Sequence, residues 1–191
     1  MSEFAALPAT SQGVVVAVQD LLSLLLTRNQ ASAVLVMMET QDGLGVQPGL
    51  VSRPERLRHA NPFLPVLPIH LARMASLLTE REAAPASGGR VALVARPCEL
   101  RGAIELAKLK QIDMRQWLMV GVDCVGTYEW ADWKRWTGSQ PNAFEEHLQA
   151  TRRAEPQAVE GAYRHACTIC ETPAPWNADL ALHLIGVEGD L

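Results

Sequence analysis

The chain has 191 residues, 48% of hydrophobic type and 20% charged, with a formal net charge of -4. A chain of this size buries roughly 70% of the surface its unfolded form exposes, so it needs neither disulfides nor metals merely to fold. The mild acidity, with no basic run, argues against nucleic acid as a partner and gives no basis for a membrane-surface role.

The most apolar stretch, Val14 to Leu26, is broken by Gln19, Asp20 and Ser23. It falls well short of the roughly 20 residues needed to cross a bilayer. Glu3 and the lack of a positive leader at the N-terminus predict no signal peptide, and so a cytoplasmic protein. There thiols stay reduced, and four cysteines read as metal or redox chemistry before disulfides.

Val14, Val18, Leu21, Leu22, Leu25 and Leu26 recur at helical spacing, with Thr10 and Ser11 available as caps and Asn29 as a stop. The continuous apolar run Ala33 to Met38 predicts a buried strand. From Asp42 to Pro68 the Gly and Pro content, notably Asn61-Pro-Phe-Leu-Pro-Val-Leu-Pro68, predicts loop. A second helix is expected from about Pro68 to Glu82, with Ile69, Ala72 and Leu77 on its apolar face, then a connector from Ala83 to Gly89. Arg90 to Ala95 reads as a strand. Pro97 suits the first turn of the helix that follows, with Leu100, Ile104 and Ala107 inward and Arg101, Glu105 and Lys108 outward. Trp117 to Gly121 makes a third strand, and this alternation predicts an α/β fold with a mostly parallel sheet flanked by helices.

Beyond Gly138 the chain turns polar. Residues 139–163 are expected to form an excursion from a single α/β domain spanning 1–191, holding one short helix around Ala143 to Arg153. Asp179 to Val187 alternates as a strand would, with Leu180, Leu182 and Leu184 on one face.

The cysteines are spaced Cys98-x25-Cys124-x42-Cys167-x2-Cys170. Cys98 follows one expected strand and opens a helix; Cys124 follows the next strand. Carboxyl ends of neighbouring parallel strands face one crevice, so the two thiols are expected to meet there. A thiolate at a helix N-terminus is stabilised by the dipole, which predicts that Cys98 ionises more easily than a free cysteine. Cys167-Thr-Ile-Cys170 supplies two more sulfurs, and four sulfurs suit zinc or an iron-sulfur cluster alike. Against this stand the plainer uses of cysteine, as a small buried hydrophobe or, in C-x2-C, a redox dithiol.

The surroundings narrow the choice. Arg96-Pro-Cys-Glu-Leu-Arg-Gly-Ala103, Glu105 to Gln111, Gly121-Val-Asp-Cys-Val-Gly-Thr127, Arg164-His-Ala-Cys-Thr-Ile-Cys170 and Asn177-Ala-Asp179 follow one another in order. This set resembles the beta subunits of the deazaflavin-reducing (coenzyme F-420) hydrogenases and related formate dehydrogenases, most strongly from Arg90 to Gly186. The resemblance implies that Cys98, Cys124, Cys167 and Cys170 hold one [4Fe-4S] cluster. It also implies a nearby FAD and partner subunits that supply or take up electrons. Arg96, Arg101, Arg164 and His165 each lie within three residues of a ligand cysteine, where a cation would favour an anionic cluster. Taken singly, each reads as ordinary solvated surface. The chain departs from larger members in lacking additional ferredoxin-type cysteine runs and in ending at Leu191. A complete flavin pocket is therefore expected to need a partner or to be absent.

Trp130, Trp133 and Trp136 form a stripe that suits core packing more often than flavin stacking or a partner surface. His59, Asn61, His70 and Arg73 lie near the Pro-rich loop, where an anionic cofactor would find weak support. The Gly43-x-Gly45 pair lacks the rest of a dinucleotide motif, and neither a Ser-His-Asp order nor a phosphate loop is present. No catalytic residue is assigned. The reading is an iron-sulfur electron-transfer subunit of a multi-subunit oxidoreductase. Its alternatives are a zinc-stabilised assembly module of such a complex and a stand-alone flavin reductase.

Overall fold

The computed structural model describes residues 5–7, 13–41, 45–80, 89–153 and 163–187. Thr10, Ser11, Gly43, most of the 83–89 connector and residues 154–162 of the polar excursion lie outside them.

Helix α1 (Val14–Thr27) buries Ala17, Val18, Leu22 and Leu26. It ends at the expected place: Asn29 turns to φ 55°, the left-handed conformation that an asparagine tolerates at a helix stop. Strand β1 (Ala33–Glu39) follows, buried over its first five residues. After the 3-10 turn Pro54–His59 come α2 (Leu71–Glu80), β3 (Val91–Ala95) and α3 (Pro97–Lys108). A short 3-10 turn at Met114–Gln116 leads into β4 (Trp117–Val122).

With β2 (Val46–Val51) and β5 (Leu180–Leu182), the sheet has five strands in the order β2-β1-β3-β4-β5. Strands β1, β3, β4 and β5 (Leu180–Leu182) are parallel, with Leu35 beside Leu93, Val91 beside Trp117 and Val120 beside Leu180. The fold is thus the expected α/β one, with an addition. Residues Val46–Val51, expected as loop, form β2, an antiparallel edge strand with Pro48 opposite Met37. A proline is tolerated there because an edge strand has one side with no ladder to complete.

The pleat of the sheet sorts its side chains to two faces. Val34, Val36, Ala92, Val94, Val120 and Val122 pack with Val18 and Leu22 of α1 and with Leu148 of α5 (Ala143–Arg152). Ala33, Leu35, Met37, Val91, Leu93, Trp117 and Met119 pack with Leu71 and Ala75 of α2 and Leu100 and Ala103 of α3. Each fully buried leucine, such as Leu22, contributes roughly 1.5–3 kcal/mol relative to leaving it exposed. Three layers result, and the carboxyl ends of β3 and β4 are free to build a site.

Strand β5 is shorter than the expected Asp179 to Val187. The buried carboxylate of Asp123 accepts the backbone N–H groups of Leu184 (2.7 Å) and Ile185 (2.8 Å) and so draws the chain away from the ladder. Leu184 still packs with Leu180 and Leu182 against one core, as the alternation predicts. No helix among the described residues is long and apolar enough to cross a membrane.

Candidate metal centre

Strand β3 ends at Ala95, and Arg96 adopts an extended conformation that turns the chain into α3. Pro97 takes the first helical position, whose N–H has no partner in any helix. Cys98 follows in that first turn. The buried Glu99 carboxylate fixes the turn: its oxygens accept the N–H of Arg96 (3.1 Å) and, from the neighbouring helix, that of Leu71 (2.7 Å). Cys124 stands two residues beyond β4, its N–H donating to Pro173 O at 2.9 Å. Both cysteines therefore emerge at adjacent strand ends, as expected.

The segment carrying Cys167 and Cys170 is brought to Cys124 by contacts of long sequence range. Gly126 has φ +79°, and a Cβ there would fall 2.5 Å from the ring of Tyr163, so that ring lies directly on the glycine. Tyr163 donates its hydroxyl to Val125 O (3.0 Å), and Arg164 N–H donates to Thr127 O (2.8 Å). The Thr127 hydroxyl lies 3.0 Å from the Cys167 sulfur. Further along, Arg101 donates to the Thr172 hydroxyl, and Pro175 rests where a Gly121 side chain would begin. The short helix α6 (His165–Thr168) is thereby held beside the β4 end, with Cys170 N–H bonded to Cys167 O at 3.3 Å.

The Pro-rich loop ties these parts together. Its carbonyls face the site in sequence: Leu64 O and Val66 O accept from the Arg96 guanidinium, Pro65 O from Tyr128 N–H, and Leu67 O from Arg164 at 3.0 Å. Arg164 also grips Glu129 with two nitrogens, at 2.9 and 3.2 Å. Prolines supply carbonyls without N–H donors, so a loop rich in them suits a place where arginines must be anchored.

The thiols influence one another. Burial first, and then the neighbouring charges of Cys124 and Glu99, push the Cys98 thiol up to about 11, against the opposing pull of Arg96 and Arg101. Cys124 is likewise raised by burial, with Cys167 and Cys170 adding to the rise and Arg96 opposing it. Cys124 is thus the thiol that feels all three others. The expectation that Cys98 ionises easily is not met: although the residue is exposed, partial burial of its thiol and the adjacent Cys124 and Glu99 charges outweigh the helix dipole. Thiols of this kind exchange their protons for a metal, whose charge inverts the local balance. Among the described residues, no three His, Cys, Asp or Glu side chains converge closely enough to hold a single metal ion.

Of the charged residues singled out in the sequence, Arg96 differs most from expectation. It is 2% exposed, not solvated surface, and its Nη1 has no hydrogen-bond partner among the described residues. Arg101 is exposed, Arg164 is half-buried, and His165 is exposed on α6. Asn61 is structural, donating its amide to the Glu39 carboxylate (2.8 Å) and accepting from Phe63 N–H. His70 packs where the lack of a side chain on Gly102 makes room between α2 and α3. Trp133 and Trp136 of α4 (Trp130–Ser139) are core, packed with Tyr128 and Ala143, while Trp130 stands at the surface. Sequence reasoning passed over Tyr163, and took Gly126 and Thr127 only as part of the motif around Cys124, without a role of their own.

His147 lies buried within this aromatic group, ringed by Tyr128, Tyr163, Trp133 and Trp136. Its Nε2 donates to Val125 O at 2.9 Å. Burial, reinforced by the Arg96 charge, holds it below the ordinary value of 6.5 despite the bond to Val125. Below pH 6.5 the unfolded chain then takes up a proton that the folded chain refuses, and stability falls until the folded-state value is passed. Urea unfolding of the isolated chain between pH 7 and 5 is expected to show this. His147→Phe should flatten the slope by up to about 1.4 kcal/mol per pH unit, since Val125 O keeps its bond from Tyr163.

The molecule is a mixed α/β protein whose sheet gathers cysteines from three segments at one end. No protein-family model and no curated protein matches it. Among solved structures it is similar to a chain of the F420-reducing [NiFe] hydrogenase complex from Methanosarcina barkeri, determined as a xenon derivative. The match has a TM-score of 0.61 and 14% identity, and covers 90% of this chain. This chain spans 64% of the length of that one. At this identity the two share a fold.

Proposed function

We propose that the chain is an electron-transfer subunit of a multi-subunit oxidoreductase, in which Cys98, Cys124, Cys167 and Cys170 hold one [4Fe-4S] cluster. The observation that carries this reading is the meeting of three cysteine segments: Cys98 and Cys124 follow the adjacent strands β3 and β4, and the Thr127 hydroxyl, three residues after Cys124, lies 3.0 Å from the Cys167 sulfur. The donor set is chemically apt, since soft thiolates select iron-sulfur clusters or zinc. A guanidinium nitrogen of Arg96, two residues before Cys98, is buried without a partner among the described residues, which fits an anionic group as well. The fold shared with a chain of a hydrogenase complex and the order of the cysteine motifs favour iron over zinc.

A bound cluster supplies one-electron redox chemistry. The chain's own residues do the rest. Glu99, Thr127 and Tyr163 fix the ligand segments, the aromatic group excludes water from one side, and Arg96 offers positive charge. Cys98 and Cys170 are exposed, which gives electrons a route to a flavin or cluster in a partner subunit.

Anaerobically purified protein is expected to carry about four irons and four sulfides per chain and to give an EPR signal on reduction. A chain holding one zinc and no iron would overturn the reading and establish the assembly module instead. Retention of FAD by the isolated chain would place the flavin here and not in a partner.

A further inference from the structure

Arg96 is the largest fully buried side chain of the described residues. Its Nη2 donates to Leu64 O and Val66 O, while Nη1, with two N–H groups, is buried without a partner among the described residues. Among the described residues no carboxylate forms an ion pair with it. Glu99, the nearest acid in sequence, uses both oxygens on backbone N–H groups. His147, which its charge reaches, is a base. A buried charge without a counter-ion is costly, and proteins keep one where an anion is due. Arg96 is the residue from which α3 starts, two before Cys98, at the end of β3 and so next to the end of β4, beyond which Cys124 stands.

We infer that Arg96 is the built-in counter-charge of the thiolate site and, by that charge, sets the reduction potential of the group bound there. The inference rests on the proposed cluster. Reduction adds an electron to an already anionic centre, and a fixed cation in a dry site favours the reduced form more than the oxidised one. The arginine fork suits this place because two of its donors can hold the Pro-rich loop while its charge stays beside the sulfurs. Arg101, exposed and screened by water, contributes far less.

The test is a redox titration of the anaerobically loaded chain, followed by EPR, for wild type, Arg96→Gln, Arg96→Lys and Arg101→Gln. Arg96→Gln keeps donors for the loop and removes the charge. It is expected to lower the ratio of reduced to oxidised centre about tenfold at a fixed poise, which is about 59 mV for one electron. Arg96→Lys and Arg101→Gln should stay within about twofold of wild type. Equal shifts in Arg96→Gln and Arg101→Gln, or none in Arg96→Gln, would overturn the inference with the cluster intact. Should Arg96→Gln fail to fold or load, Arg96→Lys decides: a potential near that of wild type supports the charge role, and a large fall overturns it. A wild-type chain without iron defeats the cluster reading itself, a result separate from these.

Discussion

Cys124→Ser is expected to empty the proposed metal site while leaving the chain folded. Cys124 links the thiol set: it follows β4 beside the strand that leads to Cys98, and its neighbour Thr127 meets the Cys167 sulfur at 3.0 Å. A hydroxyl is nearly the same size, but it is a hard, weakly acidic donor, ill matched to iron that prefers thiolate. Iron and sulfide per chain should fall roughly tenfold or more, beyond what loss of a supporting contact costs. The fold should tolerate the change. The bond that Cys124 makes to Pro173 is through its backbone N–H, and its side chain belongs to neither face of the sheet's core. Unfolding of the metal-free variant is expected within about 1 kcal/mol of the metal-free parent. Cys98→Ser, at the exposed rim of the set, should lower occupancy less severely. Full iron content in Cys124→Ser, measured with circular dichroism to confirm folding, would remove Cys124 from the ligand set and break the proposed centre.

The sheet was legible in the sequence because its strands are short apolar runs at the right separations, with helical periodicity between them. Val91 to Ala95 is buried at every position, so its pattern carries no competing signal. Strand β2 escaped because Pro48 and Gly49 contradict strand propensity, and only the neighbouring β1 makes that segment an edge. A Cβ on Gly49 would fall 2.1 Å from the Met38 sulfur, so the glycine is there to let the hairpin close. The positions of Cys98 and Cys124 could be read from topology alone, since the residues after parallel strands share one end. The place of Cys167 and Cys170 could not. It depends on Tyr163, Arg164 and Pro173 meeting residues tens of positions away, and local sequence holds no record of such pairings. Arg96 misled for a similar reason. Arginine is rarely buried, and the carbonyls that receive it belong to a loop whose prolines advertise only irregularity. The ionisation of Cys98 was misjudged because the helix dipole is a local feature, whereas desolvation and the neighbouring Cys124 arise from the tertiary structure.

Gly126→Ala tests whether that tertiary docking, and not the cysteines alone, makes the site. At φ +79° an alanine costs about 1–2 kcal/mol in backbone energy. Its methyl group would also sit 2.5 Å from the Tyr163 ring, which cannot yield without releasing its bond to Val125 O. Tyr163 immediately precedes Arg164, which is held to Thr127 O, Leu67 O and Glu129. Displacement of the ring is therefore expected to pull the Cys167 segment away from Cys124 and to cost the proposed centre two of its four sulfurs. Gly138→Ala supplies the contrast: nothing lies within 4 Å of a Cβ in α4, and alanine there should stabilise by roughly 0.5–1 kcal/mol. Urea unfolding and iron content measured on both variants should diverge. Loss of iron in Gly126→Ala with a folded sheet would show that the strand ends hold two ligands and the docked segment the other two. Full iron in a stable Gly126→Ala chain would mean that the Tyr163 contact does not position the Cys167-x2-Cys170 pair.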